Sequence, residues 1–388
     1  MSMPQIGVEL HGVTLNVSCD FEPLLDYLRE LLQSDVRPVW DAPDLDVTGI
    51  WRLEPPIAGQ SAFSEGRGAE GFGKRMRLAD DELVWFDTHR DKDLQLRFRR
   101  CGGQTQFDVD YWYHPLPEKL ARYPDYQHRK FFKLARYLVH FPVAWHLERT
   151  RGWTAIHASA VAAEDEAVLV AGPGGAGKTT TCVGLMARAG VRLLTENLLF
   201  TDGRHVFPMR EPIRLTEDSL ALLGDGHRRT LVPLGLGGGA KGKSLFRLPG
   251  DETSRPVRPV ALFIPRFTAQ GSVTAIAPEL ASELLGATNR LTLELNDFSW
   301  YTAALDLLWP AAGHTVRQSS VLARLTAQTR CYALGIDRRA GVEAVVERVL
   351  ECVGWSQSAV ITSHEACACT DRDLDGKRGA AHPVFHRQ

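Results

Sequence analysis

The sequence has no excess of either charge: 45 Lys and Arg stand against 47 Asp and Glu, a formal net charge of −2. It offers no basic field to hold a polyanion, so nucleic acid is not an expected partner. Long apolar runs are missing as well. The longest weakly charged stretch, Phe298 to Val316, is interrupted by Asp306, Pro310 and Gly313, which argues against a membrane-spanning helix. Met1 to Val13 lacks the basic start and continuous apolar stretch of a secretion signal, so a cytoplasmic protein with no membrane partner is expected. The seven cysteines are an odd number scattered over 388 residues, unlike the dense, even frameworks of small secreted domains. Free thiols are expected.

What is present fits a globular chain, with 44% hydrophobic and 24% charged residues and enough length for two domains with real cores. Residues 1–150 read as a β-rich α+β domain. Strand-like runs occur at Glu82 to Phe86, Leu94 to Phe98 and Gln106 to Tyr113, and the Gly/Pro/Ser-rich stretch Pro55 to Gly73 reads as a loop. Asp20 is placed to cap a helix with apolar positions Phe21, Leu24, Leu25, Leu28, Leu31 and Leu32. A second helix through Phe131, Leu134, Ala135 and Leu138 is expected to end near Pro142, beside the domain linker.

From residue 151 to 354 the pattern becomes α/β. Strands are expected at Thr154 to Val161, Ala167 to Ala171, Val191 to Leu194, Val260 to Ile264 and Cys331 to Leu334. Helices are expected at Lys178 to Ala189 and through Val342, Val345, Val346, Val349, Leu350 and Val353. Residues 355–388 lose periodicity and read as a disordered tail. Its Cys367 and Cys369, with His364, His382 and His386, match no common zinc spacing. The calcium-like run Asp371 to Gly376 has His382 where a bidentate Glu is required, so a solvated acidic turn is the better reading.

The pattern G-x-x-x-x-G-K-[ST] occurs twice, at Gly172 to Thr179 and at Gly237 to Ser244. Phosphate binding by such a loop needs a strand before it and a helix after it, whose first amides and dipole face the anion. Only the first copy has both. The second is hemmed in by Pro233, Gly235 and Pro249, so it is rejected as a nucleotide loop. It remains either a mobile basic loop that brings Lys241 and Lys243 to the substrate or transferred phosphoryl group, or a solvated surface loop.

In the accepted loop Gly172, Gly174, Gly175, Ala176 and Gly177 bring backbone close to phosphate, with Thr180 continuing into the helix. Lys178 would reach the β and γ oxygens and Thr179 would ligate Mg²⁺, which makes Mg-ATP the expected ligand. Neither an N-K-x-D base-reading motif nor an L-S-G-G-Q segment is present, which disfavours GTPases and transport ATPases.

The order Ile156-His157-Ala158, strand, glycine loop, helix, and Val191 to Asn197 resembles the catalytic core of HPr kinase/phosphorylase and its bacterial paralogues over roughly residues 153–354. The fold this implies is α/β: a phosphate-loop HPr-kinase-like core behind the β-rich N-terminal domain. The resemblance matches His157 to the family's upstream histidine, Lys178 and Thr179 to its nucleotide-binding pair, and Glu196 to its catalytic base. Asn197 stands where the family has a second aspartate and cannot act as a base. Phosphoryl transfer also asks for a second metal-facing carboxylate and further positive charge, for which Glu211, Arg214 and Arg266 are candidates, Glu196 and Glu211 joining Thr179 at the metal.

The function this implies is an ATP-dependent kinase acting on a hydroxyl of a peptide, protein or small metabolite other than HPr. The N-terminal domain is the candidate for acceptor recognition, and homo-oligomerisation is compatible with this reading. The alternative is a nucleotide-binding regulatory protein or ATPase that has lost transfer through Asn197. Lys178→Ala is expected to weaken ATP binding, because the phosphate charge would then face backbone amides alone, whereas Lys243→Ala leaves affinity nearly unchanged. Titration with a fluorescent nucleotide checks both.

Overall fold

A computed structural model describes residues 3–54, 70–101, 104–188, 190–209, 211–223, 228, 231–234, 243–247, 255–310 and 314–355. The second glycine motif up to residue 242 and the tail patterns from residue 356 onward lie outside the described residues. The chain is a mixed α/β protein built on two large sheets.

The N-terminal sheet has nine strands, running in space from Val36–Arg37 through Gln5–Leu10, Val13–Cys19, Leu45–Arg52, Gln104–Trp112, Leu94–Cys101, Glu82–Trp85 and Met76–Ala79 to Glu70–Phe72. The last of these lies inside the stretch expected to be a loop; it pairs Glu70 to Phe72 with Leu78 to Met76. The expected strands at 82–86, 94–98 and 106–113 are all present within a residue or a few. Helix Glu22–Leu32 turns Leu24, Leu25, Leu28, Leu31 and Leu32 inward, as its spacing predicts. Asp20 does not cap it: its carboxylate instead accepts from the Trp51 amide at 2.8 Å, because the neighbouring strand offers an unpaired N–H.

Pro142 does not end the second helix. Tyr126–Ala135 passes through a wider π turn at Arg136–His140 into Phe141–Arg151, where Pro142 occupies the first turn and needs no amide partner. The chain leaves this helix at Gly152, in the left-handed region.

The second sheet has eight strands. Glu166–Ala171, Arg258–Phe267 and Arg330–Ile336 run parallel at its centre, and Thr154–Ala163 lies antiparallel beside the first of them. Val191–Thr195 and Leu198–Thr201 both pair with Thr154–Ala163, one after the other along its length. Helices Lys178–Met186 and Gly341–Val353 cover one face, and Pro278–Arg290 and His314–Gln328 the other. At Gly184 an added Cβ would sit 2.6 Å from Val342, so the first two helices approach too closely for any other residue.

The two sheets share a core. Helix Leu293–Leu308 follows the second sheet's covering helix in sequence, yet its Leu295, Phe298, Tyr301, Ala304, Leu305 and Leu308 join the N-terminal cluster. Tyr301 meets Phe98 at 5.2 Å and Phe141 at 5.4 Å between ring centres. Among the described residues no helix is long and apolar enough to cross a membrane.

Tyr301 is buried, and its hydroxyl has no hydrogen-bond partner among the described residues. Tyr301→Ala is therefore expected to cost about 3–5 kcal/mol of stability, while Tyr301→Phe costs less than about 1 kcal/mol or stabilises. Denaturant unfolding checks this. Equal losses in both variants would mean that the hydroxyl, not the ring, holds the seam.

Candidate functional site

The parallel strands send their carboxyl ends to one edge, where open α/β sheets place their ligands. The glycine loop leaves the sheet there, between Glu166–Ala171 and helix Lys178–Met186, so the strand and helix expected on either side are both in place. Its backbone is constrained from beneath: Gly177 has φ +93°, and a Cβ there would come 3.1 Å from Ile336. Above, Gly174 and Gly175 are exposed, with nothing within 4 Å of an added Cβ. The first amides of the following helix have no partner within it, and its dipole adds positive potential at the loop. Lys178 folds back to donate to the Pro173 carbonyl at 3.2 Å, and Thr179 and Thr180 are half-buried behind it.

Glu196 follows strand Val191–Thr195 in a tight turn with Asn197. The antiparallel register of the Thr154–Ala163 strand carries this turn to the loop, and the Ser159 hydroxyl fixes it by donating to the Glu196 carbonyl. The Thr179 hydroxyl donates to one Glu196 carboxylate oxygen at 2.6 Å, and Arg214 Nε donates to the other at 2.9 Å. The ion pair is buried, with Glu196 at 4% exposure and Arg214 at 8%. A charge pair so far from water holds only because each oxygen has a donor.

Arg214 also lies 3.6 Å from Glu294, to which Arg136 donates at 2.9 Å. Burial alone would raise the Glu294 carboxyl, but Arg136 and Arg214 outweigh it and hold the group at about 2. Arg136, Glu294, Ser159, Asn289 and Thr292 are site neighbours that motif reading missed. The two carboxylate partners of Arg214 lie 18 and 80 residues from it along the chain, and no local pattern joins them.

His157 is buried on the Thr154–Ala163 strand. Its Nε2 faces Asn197 Oδ1 at 3.1 Å, its Nδ1 faces the Thr292 hydroxyl at 2.6 Å, and Asn289 accepts from its backbone amide at 3.0 Å. Burial first, and the nearby Lys178 charge second, lower its pKa to about 4. The ring is neutral at pH 7. A carboxamide oxygen only accepts, so in this arrangement Nε2 carries the proton, while the one proton of the Thr292 hydroxyl is shared between Nδ1 and the Thr288 carbonyl 3.0 Å away.

Of the remaining candidates, Glu211 is 2% exposed beside Asn197, with one oxygen 4.0 Å from His140 Nδ1. Burial pushes its carboxyl pKa up and pushes His140 down to about 3. Among the described residues the second Glu211 oxygen and both His140 nitrogens have no hydrogen-bond partner, and no contact joins Glu211 to Thr179. Arg266 is exposed, and no ion pair links it to the site among the described residues. The neighbouring Pro265 supports the loop instead: a Cβ on Gly172 would lie 3.4 Å from its ring.

Among the described residues no three His, Cys, Asp or Glu side chains are grouped to hold a metal ion by themselves. Thr179, hydrogen-bonded to Glu196, fits a different arrangement: Mg²⁺ delivered with nucleotide phosphates, which supply most of its ligands together with water. A cavity of about 290 Å³ lies elsewhere, in the seam between the sheets, and is lined by residues such as Glu9, His11, Arg37, Arg151, Trp153 and Phe207. None of its lining residues belongs to the loop.

Burial lowers the Lys178 pKa to about 8; Arg214 and Lys243 add to the effect, and Glu196 opposes it. A phosphate bound at the loop would stabilise the charged form, so nucleotide binding there would take up a proton once the free lysine begins to lose its own. ATP affinity is expected to fall as the pH rises through about 8, and Lys178→Arg, which stays charged, abolishes that fall. Calorimetry in buffers of different ionisation enthalpy checks the uptake. An affinity independent of pH between about 7 and 9.5 would rule it out.

No protein-family model matches the chain, and no curated protein matches it. The functional reading therefore comes from the side chains themselves.

Proposed function

We propose that the protein is an ATP-dependent phosphotransferase that moves the γ-phosphoryl group of Mg-ATP to a hydroxyl of a peptide, protein or small metabolite. The observation that carries this reading is the hydrogen bond from the half-buried Thr179 to the buried Glu196, directly behind the glycine loop. A Thr hydroxyl that gives its proton to a carboxylate turns its lone pairs outward, toward the position of a metal ion beside phosphate. Mg²⁺ there would neutralise charge on the β and γ oxygens.

Each residue then has a task. The loop amides and Lys178 bind the phosphates. Glu196 orients Thr179 with one oxygen, and its remaining lone pairs are available to accept the acceptor hydroxyl's proton. Arg214 holds Glu196 in place through its Nε. Neutral His157 positions Asn197 through Nε2. Glu211, apart from Thr179, supports the Asn197 side of the turn.

A nucleotide-binding switch without transfer is the second reading, and one observation favours it: both Glu196 oxygens are already engaged while Asn197 cannot serve as base.

Glu196→Gln separates these readings. On the transferase reading folding and ATP binding persist, while transfer of labelled γ-phosphate to cell-extract acceptors falls by about 10²- to 10⁴-fold. Recovery of the rate at raised Mg²⁺ would assign Glu196 to the metal rather than to the proton. If the wild-type protein binds ATP but labels no acceptor in any extract, the switch reading takes its place.

A further inference from the structure

The second glycine motif was rejected as a nucleotide loop, yet its lysine comes back to the first. Lys243 immediately precedes strand Ser244–Phe246, which pairs antiparallel with Ile213–Leu215 in the register Ile213 with Phe246, Arg214 with Leu245 and Leu215 with Ser244. Side chains alternate across such a pair. Ile213, Leu215 and Phe246 enter the core beneath helix Lys178–Met186. Arg214 and Leu245 therefore share the opposite face, and two residues before Leu245 the same alternation brings Lys243 to it. That is the face on which Arg214 meets Glu196.

Electrostatics agree with this placement, since the Lys243 charge is among those that depress the Lys178 ammonium. Two lysines from two copies of one sequence pattern thus approach a single phosphate position. Among the described residues two other nearby cations are already committed. Arg214 is shared by Glu196 and Glu294, and Arg136 is held by Glu294. Lys243 is half-exposed and has no carboxylate partner among the described residues.

We propose that Lys243 is a catalytic cation of this site, pairing with the γ-phosphoryl group while it is in transit rather than with ATP at rest. The proposal rests on the phosphotransferase reading above. In the step itself the acceptor oxygen forms a bond to Pγ and the bond from Pγ to the bridging oxygen breaks. Its electron pair remains on ADP, and the acceptor's proton passes to Glu196. Between the two bonds the group is metaphosphate-like, with charge spread over three equatorial oxygens. Lys178, with the metal ion that Thr179 would hold, would stand toward the β-phosphate, and a lysine from the Arg214 face would meet the equatorial oxygens. Its positive charge is most useful when the phosphoryl group is attached to neither oxygen.

The test uses ADP, Mg²⁺ and aluminium fluoride, which together imitate the phosphoryl group in flight and need no identified acceptor. The full chain is expected to bind ADP more tightly when aluminium fluoride is present. Lys243→Ala and Lys243→Gln should lose about 10²- to 10³-fold of that gain while ATP affinity changes by less than about threefold, and Lys243→Arg should retain part of it. Unchanged melting temperatures show that the loss is not one of folding. If both neutral variants keep the full gain, or if ATP affinity falls as far as the gain does, Lys243 is not a transition-state cation. If the wild-type chain binds ATP but shows no gain with aluminium fluoride, the phosphotransferase reading fails and this proposal fails with it, a result distinguishable by the wild type alone.

Discussion

A carboxylate buried at the end of a strand holds this molecule's candidate site together. Glu196 cannot be left in the interior without donors, and the two it has come from unrelated parts of the chain: Thr179 from the helix after the glycine loop and Arg214 from a short strand beyond. Arg214 also approaches Glu294 at the start of a helix, and Arg136 completes the set from the π turn of the N-terminal half. Two cations and two anions alternate along this line, so removing any one leaves a neighbour uncompensated.

His157 is neutral against the pull of the two carboxylates on this line, Glu294 and Glu196, because burial and Lys178 outweigh them. Placed a short way from Lys178 inside a dry site, an imidazolium is opposed by burial and by that charge, and the ring settles as a donor to Asn197 with Nδ1 facing the Thr292 hydroxyl. Asn197 fits such a neighbour better than a second carboxylate would. Its oxygen accepts the imidazole's hydrogen bond without adding an anion beside Glu211, whose carboxyl pKa burial already raises.

The sequence disclosed what is local. Gly172 to Thr179 could be read because strand, glycine loop and helix are contiguous, and the two copies of the motif could be told apart by the prolines around one of them. The strands at Ala167 to Ala171 and Val260 to Ile264 were legible as short apolar runs, as buried parallel strands are. Asp20 misled because a helix cap and a strand-end acceptor look alike in sequence; which amide the carboxylate meets depends on Trp51, 31 residues away. Pro142 misled because proline in a helix's first turn costs nothing, and the π turn that creates a new first turn leaves no clear compositional mark. Leu45–Arg52 alternates plainly between buried and half-buried positions and was still overlooked, whereas the bond between Arg136 and Glu294 spans 158 residues and has no signature to find.

Helix Leu293–Leu308 gives its length to the aromatic core of the N-terminal half and its first turn to the glycine-loop edge of the other, through Glu294 and the adjoining Thr292. Such a helix makes the chain poorly modular. A gene fusion or exchange cut near residue 150 would sever a strand-rich half from a helix that it shares, exposing Phe298 and Leu305 in one product and Phe98 and Phe107 in the other. Change in the N-terminal half during descent is thus constrained to keep that aromatic surface, even where its outward face is free to diversify.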